Sequence, residues 1–236
     1  MSVLCCLLVL ISPGTRMGIE EKRTAKEALQ SLNDLIGPWQ AKGQTQSGTA
    51  TEKQRGFWKE QIEWGWKFKG EDAWLTFSIT NGKHFKGGTI RYLADLDKFR
   101  VTLETTEDKS LEFMGQLAKN GRSLVAETTL ENKDVVRLTI GLVGDVRFTY
   151  SIEKKIAGRR LFNKEYLVSA TKEGESLAGS QKSDKPECIV SGGLGTSTVS
   201  YKGMTYYVCC SGCRDAFNEN PEKFIKEWQE KKAKKK

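Results

Sequence analysis

Residues 61–69, QIEWGWKFK, decide the fold. Ile62, Trp64, Trp66 and Phe68 fall on one side of a period-two pattern and Glu63, Gly65, Lys67 and Lys69 on the other, which predicts a strand with one buried face. Similar runs follow at 74–79, 85–93, 99–105, 111–117, 124–130, 135–142, 146–152 and 161–168. Between them stand Asn81-Gly82, Asn120-Gly121, Asn132-Lys133-Asp134, Gly144-Asp145 and Ala157-Gly158, residues that supply the left-handed or Asx conformations of tight hairpins. With a strand opened by Trp39 the count reaches about ten, joined as hairpins. No helix-length pattern interrupts them, so a parallel sheet with crossovers is not expected. An antiparallel meander of this length hides its two edges most simply by closing into an up-and-down barrel.

Upstream, over 20–36, Ala25, Ala28, Leu29, Leu32, Leu35 and Ile36 recur at spacings of three and four, one face of an amphipathic helix that Gly37-Pro38 ends. Before it, the apolar run 3–11 (VLCCLLVLI) is too short to span a bilayer, which takes about twenty residues. It fits the apolar region of a signal peptide over 1–19, which places the protein in the periplasm or outside the cell and not as an integral membrane protein once processed. No Lys or Arg precedes the run, however, and a start at Met17 would delete it and leave the protein cytoplasmic. Cys5 and Cys6 sit in this segment and are removed with it.

Downstream, KEGESLAGSQKSDK (172–185) loses all periodicity and marks a linker after a barrel unit over 20–171. A second unit follows over 186–228. Val199, Tyr201, Tyr206 and Val208 are its strand side chains, and two short helices finish it. The second helix is announced by Asn220 as N-cap and Pro221 at the first helical position, with Phe224, Ile225 and Trp228 as its buried face. The last segment, 229–236, is a basic tail, read as solvated and frayed. Its five lysines against Glu230 account for half of the net charge of +8. No aromatic residues interleave with this charge, so nucleic acid is not the expected partner.

So small a C-terminal unit buries too little apolar surface to fold unaided and needs a metal or disulfides. Cys188, Cys209, Cys210 and Cys213 are the available groups. Twenty residues lie between Cys188 and Cys209, three between Cys209 and Cys213 and two between Cys210 and Cys213, with Gly212 in the intervening turn. A knuckle of this spacing aims neighbouring thiolates at one point while a distant cysteine closes the site. Disulfide pairing is the competing reading for an exported chain, and clustered thiols at knuckle spacing favour metal over it. A redox pair of Cys210 and Cys213 lacks the βαβ setting of thioredoxin-like motifs.

Cys188, then YKGMTYYVCCSGCRDAF, then ENPEKFI, resemble the YHS and TRASH domains, whose distant cysteine and Cys-x3-Cys knuckle Cys188, Cys209 and Cys213 match. Tyr206-Tyr207 and Phe217 match the accompanying aromatic positions. The resemblance implies heavy-metal sensing, trafficking or resistance. Cys210 lies beyond the three-cysteine pattern. It either completes a four-thiolate tetrahedral site suited to zinc or faces away and leaves a three-coordinate site suited to copper(I). With no histidine in this unit, sulfur ligands argue against magnesium and calcium.

Gly37-Pro38-Trp39 after a short helix resembles the Gly-x-Trp signature of lipocalins, and the strand count is similar to that of the lipocalin-like nitrobindin group, whose barrel holds haem through a histidine. The alternative function is therefore a carrier of haem or an apolar small molecule, with a structural, disulfide-bonded C-terminal unit. His84, the single histidine, stands beside a turn and reads as a solvated loop residue. Trp58, Trp64, Trp66 and Trp74 either line a ligand cavity or fill the barrel core, and strand-spaced aromatics favour core. Glu60 and Glu63, three apart on a strand, point to opposite faces and do not form an acid-base pair. With no nucleophile beside a histidine and no phosphate-binding glycine loop, the sequence is not that of an enzyme.

Overall fold

The computed structural model describes residues 22–174 and 186–234. The expected signal segment and nearly all of the expected linker lie outside the described residues. The architecture is mainly β: a closed ten-strand antiparallel barrel with a helix before it and a small α+β unit after it.

The barrel is an unbroken meander. Its strands are β1 (Gly37–Thr45), β2 (Phe57–Lys69), β3 (Asp72–Thr80), β4 (Phe85–Leu93), β5 (Lys98–Thr105), β6 (Ser110–Leu117), β7 (Ser123–Thr129), β8 (Val135–Leu142), β9 (Arg147–Lys155) and β10 (Asn163–Lys172). Each pairs with its neighbour in sequence, and β1 closes the ring on β10, with Trp39 opposite Lys172 and Thr45 opposite Tyr166. Closure removes the edges that a long meander would otherwise expose. Asn81, Gly121, Lys133, Gly144 and Gly158 all adopt positive φ, the backbone conformation that tight hairpin loops require.

The alternation read from 61–69 holds in three dimensions: Glu60, Ile62, Trp64 and Trp66 are buried and Glu63 and Lys67 exposed. Inside the barrel Trp39 meets Phe148 edge-on at 4.8 Å, and Trp64 stacks on Phe77 at 4.2 Å. Trp74 departs from the expectation, because its place on β3 turns it to the outer wall, where the Arg91 guanidinium covers its ring at 3.9 Å.

Helices differ from the sequence reading in three places. The expected helix over 20–36 is shorter: α1 (Ala25–Leu29) starts at a Thr24/Glu27 capping box and tightens into a 3-10 helix at Gln30–Leu35. Three residues per turn keep Leu32 and Leu35 on the same buried side, and the Trp39 indole N–H donates to the Leu35 carbonyl at 2.6 Å. A helix absent from the sequence reading, α2 (Ala50–Arg55), sits in the β1–β2 connection behind a second capping box, Thr49 with Glu52. The basic tail is not frayed through most of its length. After β11 (Ser197–Tyr201), β12 (Met204–Val208) and α3 (Ser211–Glu219), α4 runs from Pro221 to Lys234. Lys231 pairs with Glu187 at 3.0 Å, and Lys232 lies over the Trp228 ring at 3.7 Å. Cations in the last turn also suit the helix dipole. No described helix is long and apolar enough to cross a membrane.

Candidate metal centre

The C-terminal hairpin sets the position of three cysteines. β11 and β12 are joined by Lys202-Gly203, both left-handed, so Tyr201 pairs directly with Met204. β12 then runs into Cys209 and Cys210 and stops where α3 begins. Cys210 is the N-cap of α3 in extended geometry, and Cys213 is in its first turn. The joint between strand and helix thus brings the Cys209 and Cys213 sulfurs to 3.4 Å, with Cys209 and Cys210 at 3.8 Å. Gly212, expected in a turn, is helical.

Cys188 arrives from a tight loop. Its N–H donates to the Gly193 carbonyl at 2.6 Å, the Gly192 N–H returns to the Cys188 carbonyl at 2.9 Å, and Ile189 N–H is stapled to the Tyr207 carbonyl of β12. Gly192 has φ +75°, the conformation that closes this loop. The sulfurs of Cys188, Cys209 and Cys213 all lie within 4.8 Å of one another, and all three residues are buried.

This spacing suits an ion better than a disulfide. Four thiolates around zinc at about 2.3 Å stand about 3.8 Å apart along each tetrahedral edge. A disulfide needs about 2.05 Å. All four described cysteines are free.

Polar groups converge on the sulfurs as well. The Ser191 N–H donates to Cys188 Sγ at 3.5 Å, the Ser191 hydroxyl lies 3.3 Å from Cys209 Sγ, and the Trp66 main-chain N–H donates to Cys210 Sγ at 3.4 Å. Hydrogen bonds from Cys209 and Cys213, helped by Ser191, lower the pKa of the Cys188 thiol. Hydrogen bonds from the same two thiols, with Trp66 N–H, lower that of Cys210. Cys209 is pushed up because it donates to Cys188 and Cys210, and Cys213 is pushed up chiefly by burial. The four thiols are thus coupled by hydrogen bonds, with Cys188 and Cys210 lowered at the expense of Cys209 and Cys213. A cation placed among Cys188, Cys209 and Cys213 would displace thiol protons and meet three sulfurs. Cys188 also borders a groove of about 500 Å³ between α1 and α4.

Ser191, Trp66 and Asn33 were not found from the sequence. Asn33 accepts from the Trp66 indole N–H at 3.0 Å and donates to the Ser191 carbonyl at 3.1 Å. A serine after a cysteine in a glycine-rich loop is a faint signal for such a role, and nothing in the barrel sequence marks Trp66 or Asn33.

The barrel interior collects a second polar group. Glu60 is buried and accepts from the Tyr150 hydroxyl at 2.6 Å and the Trp58 indole at 2.7 Å, and burial pushes its carboxyl up. His84 is not the solvated residue expected. It stacks on Tyr166 at 4.2 Å with Trp58 edge-on at 5.2 Å, and burial, then the Lys83 charge, lowers its pKa. The neighbouring interior cavity, lined by Ile62, Trp64, Phe77 and Tyr150 among others, measures about 20 Å³. That holds about one water and neither haem nor a drug-sized apolar ligand.

A comparison with curated proteins finds no match. Among solved structures, the chain is similar to the S-type phycobiliprotein lyase CPES from Guillardia theta, at 8% identity and a TM-score of 0.40, covering 63% of this chain and 94% of that one. It is also similar to Rv2717c from M. tuberculosis, at 13% identity and a TM-score of 0.38, covering 62% and 97%. Likenesses this distant carry nothing about ligand or activity. Residues 196–228, which hold β11, β12, α3, the first half of α4 and with them Cys209, Cys210 and Cys213, match the YHS domain family.

Proposed function

We propose that this is a non-catalytic metal-binding protein that holds zinc or copper(I) through Cys188, Cys209 and Cys213, with Cys210 as the fourth sulfur, and serves heavy-metal trafficking or sensing in an exported compartment. The convergence of the buried, unbonded cysteine sulfurs carries the reading. The ligand set is all sulfur, which selects soft or borderline ions. Zinc would use the four thiolates as a tetrahedron. Copper(I) would take Cys188, Cys209 and Cys213 and leave Cys210 hydrogen-bonded to Trp66.

The carrier alternative draws less support, since aromatic side chains fill the barrel around a cavity of about 20 Å³. The export assignment rests on the apolar run 3–11, and a start at Met17 would move the same site to the cytoplasm.

Elemental analysis with a free-thiol count on anaerobically purified protein tests the proposal. The expected result is about one equivalent of zinc or copper, lost when Cys209 and Cys213 become serine. Metal-free protein without titratable thiols would establish disulfides. Metal-free protein with open thiols that takes up neither ion would also end the reading. A Soret band or co-purified lipid, sensitive to changes at His84 but not at the cysteines, would establish the carrier.

A further inference from the structure

β2 overshoots its neighbour. Pairing with β1 ends at Gly37 opposite Trp64, whereas pairing with β3 continues to Lys69 opposite Asp72. Beyond Trp64, β2 therefore has a main-chain edge without a strand, and buried edge groups must find partners elsewhere. The cysteine knuckle supplies them. Trp66 N–H donates to Cys210 Sγ at 3.4 Å, and Gly212 packs so tightly on the Trp66 carbonyl that a Cβ there would come within 1.7 Å of the oxygen.

A second route joins the same tryptophan to the same centre. Its buried indole donates to Asn33, Asn33 donates to the Ser191 carbonyl, and Ser191 contacts the Cys188 and Cys209 sulfurs through its N–H and hydroxyl. Gln30 adds a parallel bond to the Ser191 carbonyl at 3.0 Å, and the Lys26–Glu227 and Lys223–Glu71 ion pairs flank the contact.

We propose that the barrel wall is part of the metal centre: Trp66, through its main-chain N–H and the Asn33–Ser191 relay, is a positioning residue that fixes the sulfurs for the ion, so metal affinity and docking of the C-terminal unit on β2 are linked. The proposal rests on the metal-binding reading. It gives the projecting end of β2 a role that the barrel's filled interior does not suggest. Linkage is reciprocal: whatever strengthens docking tightens metal binding, and metal strengthens docking by the same factor. Hydrogen-bond partners of ligands are typically worth about 10- to 100-fold in metal affinity.

Gly212→Ala and Asn33→Ala test it in the full chain, with zinc as the probe in chelator competition and cobalt(II) as the spectroscopic reporter. Gly212→Ala forces the knuckle off the Trp66 carbonyl while suiting a helix, and Asn33→Ala cuts the relay without a clash. Both variants are expected to bind zinc about 10- to 100-fold more weakly and to lose thiolate-to-cobalt charge-transfer intensity, with the thermal transition of the barrel retained. In the wild type, zinc is expected to slow hydrogen exchange at the Trp66 amide. Zinc affinity within twofold of wild type in both variants, together with Trp66 exchange indifferent to zinc, overturns the linkage while leaving the metal reading standing. Wild-type protein that takes up no metal overturns both.

Discussion

Replacing Cys213 by serine isolates the energetic weight of one sulfur. Cys213 is fully buried, its sulfur is 3.4 Å from that of Cys209, and its place in the first turn of α3 leaves it no alternative direction. Structural zinc in small thiolate sites contributes about 10–16 kcal/mol at neutral pH, so one of four sulfurs carries about 2.5–4 kcal/mol, or about 10²- to 10³-fold in affinity. A serine hydroxyl is a hard, protonated group at neutral pH and recovers little of this. Because the unit is too small to stand on its apolar core, weaker binding also reads out as stability. Zinc at a hundred times its Kd adds about 2.7 kcal/mol to the wild type and proportionately little to the variant. Competition against a chromophoric chelator gives the affinity, and thermal melts with and without zinc give the linkage. A Cys213→Ser variant that binds zinc within threefold of wild type, or a wild type whose melt ignores zinc, would refute the argument that these sulfurs share one ion.

Three further outcomes follow from other parts of the molecule. Glu60 has a carboxyl raised by burial, so its contribution to stability is full below the ordinary glutamate value and is lost as pH rises through the raised one; Glu60→Gln should remove that decline from a melt-versus-pH series, and an unchanged slope would show that Glu60 titrates normally. Phe148 is fully buried against Trp39 and Trp64, and Phe148→Ala should cost about 3–5 kcal/mol in denaturant unfolding of the barrel, with zinc stoichiometry unaltered. Asn220 caps α4 by accepting from the Lys223 N–H at 3.2 Å, and Asn220→Ala should cost about 1 kcal/mol in the zinc-dependent transition.

The barrel was legible because a half-buried antiparallel strand writes its geometry directly into the chain. Side chains alternate faces, so 61–69 predicted the strand, and the three-residue spacing predicted that Glu60 and Glu63 would face opposite ways, Glu60 proving to be the buried one. The hairpin turns announced themselves through residues that accept positive φ. What escaped was structure without an apolar signature. α2 buries no residue, so no periodicity marks it, and only the Thr49/Glu52 capping box records it. The helical tail was misread for the same reason, since a lysine-rich helix end looks like a solvated tail until Glu187 and Trp228 are placed beside it. Within the centre, cysteine spacing showed which sulfurs converge because ligands must come from the chain itself. The groups that steady them come from elsewhere: Asn33 and Trp66 are remote in sequence from every cysteine. Only docking of the C-terminal unit on the 3-10 helix and β2 brings them together.

The two halves of the molecule have complementary deficits. The ten-strand barrel is filled with Trp39, Trp64, Phe77, Phe113 and Phe148 around a cavity of about 20 Å³. The cysteine unit, by contrast, has only a small core around Val199, Val208 and Phe217 and buries Phe224 beside Phe68 of β2 and Gly212 against Trp66. A rigid wall that presents an unpaired main-chain edge is the kind of support such a unit lacks, because a site built on strands holds its geometry better than one built on loops. The direction of dependence follows. Disrupting the barrel should disable the metal centre, whereas removing the metal should leave the barrel folded, and this asymmetry is visible as two transitions in the melt of zinc-free protein and closer cooperation between them when zinc is bound.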